Sequence, residues 1–204
     1  MTAGNEELEL KDRLSLIETM IAEGRRTTES YGWTFVLWGV AYYVAIFWAA
    51  LGHDYLAWPI TMTVAGVLTA VIIARKRSKN PATRTSRAIG SIWYAMGISM
   101  FVLLFSLGFS ERAEPHTFIA IMAAMLATAN AASSMILRWK LQFTCALVWW
   151  ALCVYACFGK SNQLTIDNPL TIAFLAALFF CQILFGIYGM ILEGRRCRMA
   201  ANHA

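Results

Sequence analysis

Residues 31–52 read YGWTFVLWGVAYYVAIFWAALG, with no Asp, Glu, Lys, Arg, His or Pro among them. A helix needs roughly 20 apolar residues, at ~1.5 Å each, to cross ~30 Å of hydrocarbon. A charge at mid-bilayer costs about 2.5–3.5 kcal/mol, so a run this long and this free of charge is the mark of a membrane span. Five further runs share it: Tyr55–Ala74, Ala88–Phe109, Thr117–Leu137, Leu141–Phe158 and Pro169–Leu192. They predict an all-α, polytopic membrane protein with six transmembrane helices paired as hairpins over about 31–86, 87–139 and 140–196. Composition agrees: the 204 residues are 59% apolar and 14% charged, against about 45–50% and 25% in soluble domains.

The bases set the orientation. Fifteen of the seventeen lie before span one, between spans two and three, between spans four and five, or after span six; only Arg112 and Lys160 lie elsewhere. The positive-inside rule then places both termini in the cytoplasm. The net charge of +5 is therefore topological, and no nucleic-acid partner is expected. Span one begins behind an acidic segment, unlike the h-region of a cleavable signal peptide.

Residues 1–30 predict a cytoplasmic amphipathic helix, 31–196 the membrane domain and 197–204 a cytoplasmic tail. Leu10, Leu14, Ile17 and Ile21 recur at spacings of four, three and four, forming an apolar stripe. The polar face carries seven acids (Glu6, Glu7, Glu9, Asp12, Glu18, Glu23 and Glu29) against four bases. Helices that rest on anionic membranes usually have basic polar faces. This acidic one points to a protein partner, a second copy of the chain, or the basic loop Arg75–Arg87; resting on the bilayer is the plainer alternative.

A threefold repeat of helix pairs is suggested by Trp38, Trp93 and Trp149, which are 55 and 56 residues apart. The cytoplasmic junctions also share a pattern, as in Ile21-Ala-Glu-Gly-Arg25 and Ile191-Leu-Glu-Gly-Arg195. Interfacial preferences of Trp and bases produce the same likeness without duplication. Mitochondrial-carrier signatures are missing.

Chemistry-bearing groups are sparse. In span four, Ala120, Ala123, Ala127 and Ala131 let backbones approach closely, and Asn130 is its lone amide. Asn130 with Thr128, Ser134 and Gln182 of span six would line an intramembrane polar path; each serves equally as an interhelical hydrogen bond. Cys145, Cys153, Cys157, Cys181 and Cys197 are odd in number and predict no disulfide framework. The pairs Cys153/Cys157 and Met96/Met100 have the softness that suits copper(I), but apolar packing is the simpler role. At the outer loops, His53, Asp54, Glu111, Glu114, His116 and Asp167 are weak metal candidates without motif spacing. Gly97-Ile-Ser99-Met100 lacks the final glycine of an intramembrane serine-protease motif, and no span holds His, Asp or Glu for acid–base chemistry or coupled transport. No cofactor is expected, and the balance leans away from an enzyme.

Glu23-Gly24-Arg25, followed by Phe35-Val36-Leu37-Trp38-Gly39 and Ala41-Tyr42, resembles a loose class of uncharacterised bacterial membrane proteins. These have a charged N-terminal helix ending in Glu-Gly-Arg and a first span carrying Leu-Trp-Gly. The likeness covers about 40 residues and implies the bacterial inner membrane, with no activity attached. The expectation is a non-enzymatic interaction or regulatory protein, or a complex subunit, working through Leu10, Leu14, Ile17 and Ile21. The alternative is a passive carrier of a small neutral or lipid-like solute.

Overall fold

The computed structural model describes residues 11–16, 32–52, 54–77, 84–110, 114–158 and 168–201; all other residues lie outside the description. The described chain is helical, with no strand. After an exposed helical segment at 11–16 come α1 (Gly32–Ala50), α2 (Asp54–Arg77), α3 (Arg84–Ser110), α4 (Pro115–Leu137), α5 (Lys140–Phe158) and α6 (Pro169–Leu178). A π-helical turn (Phe179–Leu184) then leads into α7 (Phe185–Ala201).

Local signals account for several boundaries. Pro115 and Pro169 open α4 and α6 where a missing N–H costs nothing. Asn168 caps α6 by accepting from the Leu170 N–H at 3.0 Å. Arg138, in the left-handed region at φ 48°, ends α4 and donates its N–H to the Ser134 carbonyl. Only Arg138 and Trp139 separate α4 from α5, and this is the most extensive helix–helix contact in the molecule. Next comes α1 against α2, while α1 also crosses the π-turn and α7. α3 leans on α4 and barely touches α2.

Two helices bury three–four stripes, widened by Ala41 and Ala45 on α1 and by Ala146 on α5. On α1 these are Gly32, Phe35, Gly39, Tyr42 and Ile46; on α5, Gln142, Cys145, Trp149, Leu152 and Ala156. Such a seam is the pattern of left-handed helix pairing. α4 lies deepest, with Ala120, Ala123, Ala127 and Ala131 all buried. The outward faces are apolar as well: Val44, Phe47, Val67, Val102, Val154 and Phe180 are exposed. A soluble monomer rarely shows such broad apolar surface. Five helical stretches are long and apolar enough to cross a bilayer: Gly32–Ala50, Leu56–Arg75, His116–Leu137, Lys140–Phe158 and Pro169–Arg195. The described apolar stretch of α3, Arg87–Leu103, is shorter. The chain is thus a helical, membrane-embedded protein.

The repeat suggested by the tryptophans is not evident in the packing. Trp149 is fully buried, whereas Trp38 and Trp93 are half-buried, and the closest helix pair, α4–α5, spans two of the expected hairpins.

The bundle closes where α1 meets α7. A Cβ on Gly32 would stand 2.6 Å from the Gly186 carbonyl oxygen, and one on Gly186 would stand 2.6 Å from the Gly32 oxygen. A Cβ on Gly39 would stand 2.7 Å from Ile183 Cγ1, in the π-turn. Gly186→Val must therefore push the helices apart and should cost about 1–3 kcal/mol, as overpacking does. Gly66→Ala, at a helical site with nothing within 4 Å, should be neutral or gain up to ~1 kcal/mol. Thermal denaturation in detergent checks both, and an unchanged Tm for Gly186→Val would disprove the close crossing.

Candidate functional site

The helix ends bearing Arg75, Arg138, Lys140 and Arg195 define the basic end of the bundle. An aromatic cluster sits just inside it. Phe35 of α1 meets Trp93 of α3 at 4.9 Å and Phe185 of α7 at 5.2 Å, both edge-on, and Phe185 meets Trp139 at 5.1 Å. Trp93 donates its Nε1–H to Ser133 Oγ at 3.0 Å, tying α3 to α4. Further from that end, Tyr42 contacts Phe174 and Trp58, Phe174 contacts Trp149, and Trp58 contacts Phe118. The Tyr42 hydroxyl donates to Met100 Sδ at 3.3 Å.

The expected polar path is divided by the structure. Asn130, Ser134 and Gln182 are buried, but Thr128 faces outward. Thr128 donates to the Ala124 carbonyl at 2.9 Å, Ser134 to Ala131 at 2.7 Å, and Asn130 Nδ2 to Leu126 at 2.9 Å. These groups are bonded back to their own helix, as such side chains are when no cross-helix partner is offered. No hydrogen bond joins Asn130 to Gln182, and Asn130 Oδ1 has no partner.

Gln142 escapes the composition-based search. It is the second residue of span five, where an amide passes for interfacial, yet it is fully buried and neither Oε1 nor Nε2 has a partner. Its signal is positional: it begins the 142–145–149–152–156 stripe. Trp149 Nε1 and Thr171 Oγ1 are also buried without a partner.

The π-turn packs against α1. Phe185 donates its N–H to the Phe180 carbonyl, five residues back, as well as to that of Gln182. Gln182 Cβ and Ile183 pack toward Gly39 of α1. Cys181 in the turn and Cys145 of α5 are both buried in the core, and both are free cysteines. Tyr43 of α1 donates its hydroxyl to the Leu175 carbonyl at 2.8 Å, just before the turn. Cys153 is half-buried and Cys157 exposed, one turn further along α5; the Cys197 side chain lies outside the description.

At the opposite end, His116 Nε2 lies 3.2 Å from Glu114 Oε2. His53, Glu111 and Asp167, and the side chain of Asp54, lie outside the described residues. Among the described residues no three His, Cys, Asp or Glu side chains converge as a metal site. A lateral groove of about 580 Å³ runs between α1 and the π-turn, lined by Val40, Val44, Phe47, Phe179 and Ile183 together with Tyr43. Its walls suit lipid tails rather than a polar solute. Of the amphipathic stripe, Leu14 is described and exposed; Leu10, Ile17 and Ile21 lie outside the description.

Compared with protein families, with curated proteins and with solved structures, the chain matches none.

Unpartnered buried polar groups cost about 1–3 kcal/mol each, and an apolar group of similar size removes that cost. Gln142→Leu should therefore raise the thermal stability of the detergent-solubilised protein. A fall in Tm would mean that the amide has partners that the structure does not show.

Proposed function

We propose that the protein is a six-span bacterial inner-membrane protein, with α3 as span three and both termini in the cytoplasm, that acts by binding a partner rather than by catalysis. The orientation is supported by the fifteen bases on one side. The observation that carries the partner reading is the exposure of Leu14 and Leu16, at 54% and 61%, on a helical segment outside the bundle. Apolar residues exposed on a helical segment gain most by burial against another surface, at about 25 cal/mol per Å² of apolar area. The partner-binding residues are Leu10, Leu14, Ile17 and Ile21, and the partner is a protein subunit or a second copy of this chain.

The carrier reading has narrower support. Asn130 Oδ1 is buried and unpartnered, but Thr128 faces outward and Ser134 is bonded to its own helix. Flux of a small neutral solute that stops with Asn130→Leu, at unchanged expression, would favour it.

Native mass spectrometry of the mildly extracted full-length protein, expressed in its own host, tests the partner reading. The expected result is a complex mass that Leu14→Asp with Ile17→Asp abolishes, while the protein still inserts in the membrane. A bare monomer for both, or a complex indifferent to the double substitution, would overturn it.

A further inference from the structure

Three neighbouring helices each bury one orphaned polar atom within about one turn of a common level. Asn130 of α4, Trp149 of α5 and Thr171 of α6 are at most 1% exposed, and Asn130 Oδ1, Trp149 Nε1 and Thr171 Oγ1 have no partner. α5 packs on both α4 and α6. Asn130 lies eight residues before Arg138 and Trp149 ten residues after Trp139, across a two-residue turn, so they stand within about 3 Å of one level along the pair. The Trp149 ring meets that of Phe174 at 5.9 Å. Thr171 precedes Phe174 by one turn among the buried residues of α6, about 4.5 Å along the axis. The indole N–H only donates, the Asn130 oxygen only accepts and the threonine hydroxyl does both, yet none of the three bonds another. We infer that Asn130, Trp149 and Thr171 form a binding site for a small uncharged molecule that carries an acceptor and a donor side by side, the chemistry of a primary amide.

Charge and size select the ligand. Thr117–Leu137, Leu141–Phe158 and Pro169–Leu192 hold no Asp, Glu, Lys, Arg or His, so nothing on these helices would balance an ion in a low-dielectric interior. Close packing of α4 and α5 through buried alanines, Ala127 and Ala146 among them, limits the ligand to a few heavy atoms. Its carbonyl oxygen accepts from the Trp149 N–H and the Thr171 hydroxyl. Its NH2 group donates to Asn130 Oδ1, whose own Nδ2 is already bonded to the Leu126 carbonyl at 2.9 Å. Gln142 stands two turns from Trp149 on the α5 stripe, about 10 Å along the helix, beyond the reach of so small a molecule. The site is independent of the partner reading, which rests on the N-terminal segment.

The test titrates the full-length protein in detergent with acetamide, and with N,N-dimethylacetamide, which accepts hydrogen bonds but cannot donate them. A ligand that binds only the folded state raises Tm by mass action. The expected result is a saturable rise with acetamide, at roughly millimolar concentration for so few atoms, and none with the dimethyl compound. Trp149→Phe and Thr171→Val, which preserve an aromatic ring and a branched shape, should each weaken acetamide binding roughly tenfold, and Asn130→Leu should abolish it. Gln142→Leu should leave it unchanged. Each site variant removes an orphaned atom, so its ligand-free Tm should match or exceed that of the wild type, which separates lost binding from unfolding. Acetamide should also shift the indole emission of the wild type but not that of Trp149→Phe. No rise in the wild-type Tm, an equal rise with both compounds, or binding untouched by all three site substitutions would overturn the inference.

Discussion

The approach of α1 to α7 at Gly32 and Gly186 is the constraint on which the rest of the bundle depends. Lipid tails are as apolar as leucine, so helices in a bilayer gain little from hiding hydrophobic surface and associate through close packing and hydrogen bonds. Two facing glycines let the backbones come within a distance that a single methyl group would forbid. With the first and last helices locked there, Phe35 reaches both Trp93 and Phe185, and the π-turn is pressed toward Gly39. The aromatic cluster at the basic end then draws in α3 through the Trp93–Ser133 hydrogen bond. That bond compensates a helix that otherwise has few contacts.

Five of the six expected spans were legible as long apolar helices because length and lack of charge are properties of a run, independent of what it touches. The inward faces were not. A membrane helix is apolar all round, so periodicity of hydrophobicity cannot say which side is buried. Small and polar residues mark the inside instead, as the alanines of α4 do, and these were readable. Gly32, Gly39 and Gly186 carry no such message individually, because their role is a distance to another helix. Asn130 and Gln182 were visible as amides within spans and are indeed interior. Thr128 looked the same by spacing and faces outward. Gln142 was overlooked because it lies near a helix end, where amides are common.

The interior of this bundle is not uniformly optimised. Most of α4 and α5 interlock through alanines and aromatics, yet Asn130, Gln142, Trp149 and Thr171 each keep a buried polar atom without a partner. In lipid such atoms find no water to compensate them. Their concentration on helices that otherwise pack tightly separates residues that hold the bundle together from residues that the bundle tolerates. The lateral groove beside the π-turn belongs to neither group, since its lining is apolar and open to lipid.

The π-turn at Phe179–Leu184 also bears on how the last span can change over time. A π-turn holds one residue more than a regular helix would place there, so it is an insertion that the fold has absorbed. Deleting one residue from it would rotate everything downstream by about 100° relative to everything upstream. Gly186 would then swing away from Gly32, and a bulky neighbour would take its place. The extra residue and the glycine pair are thus tied together, and neither can be lost in a lineage without the other being rebuilt.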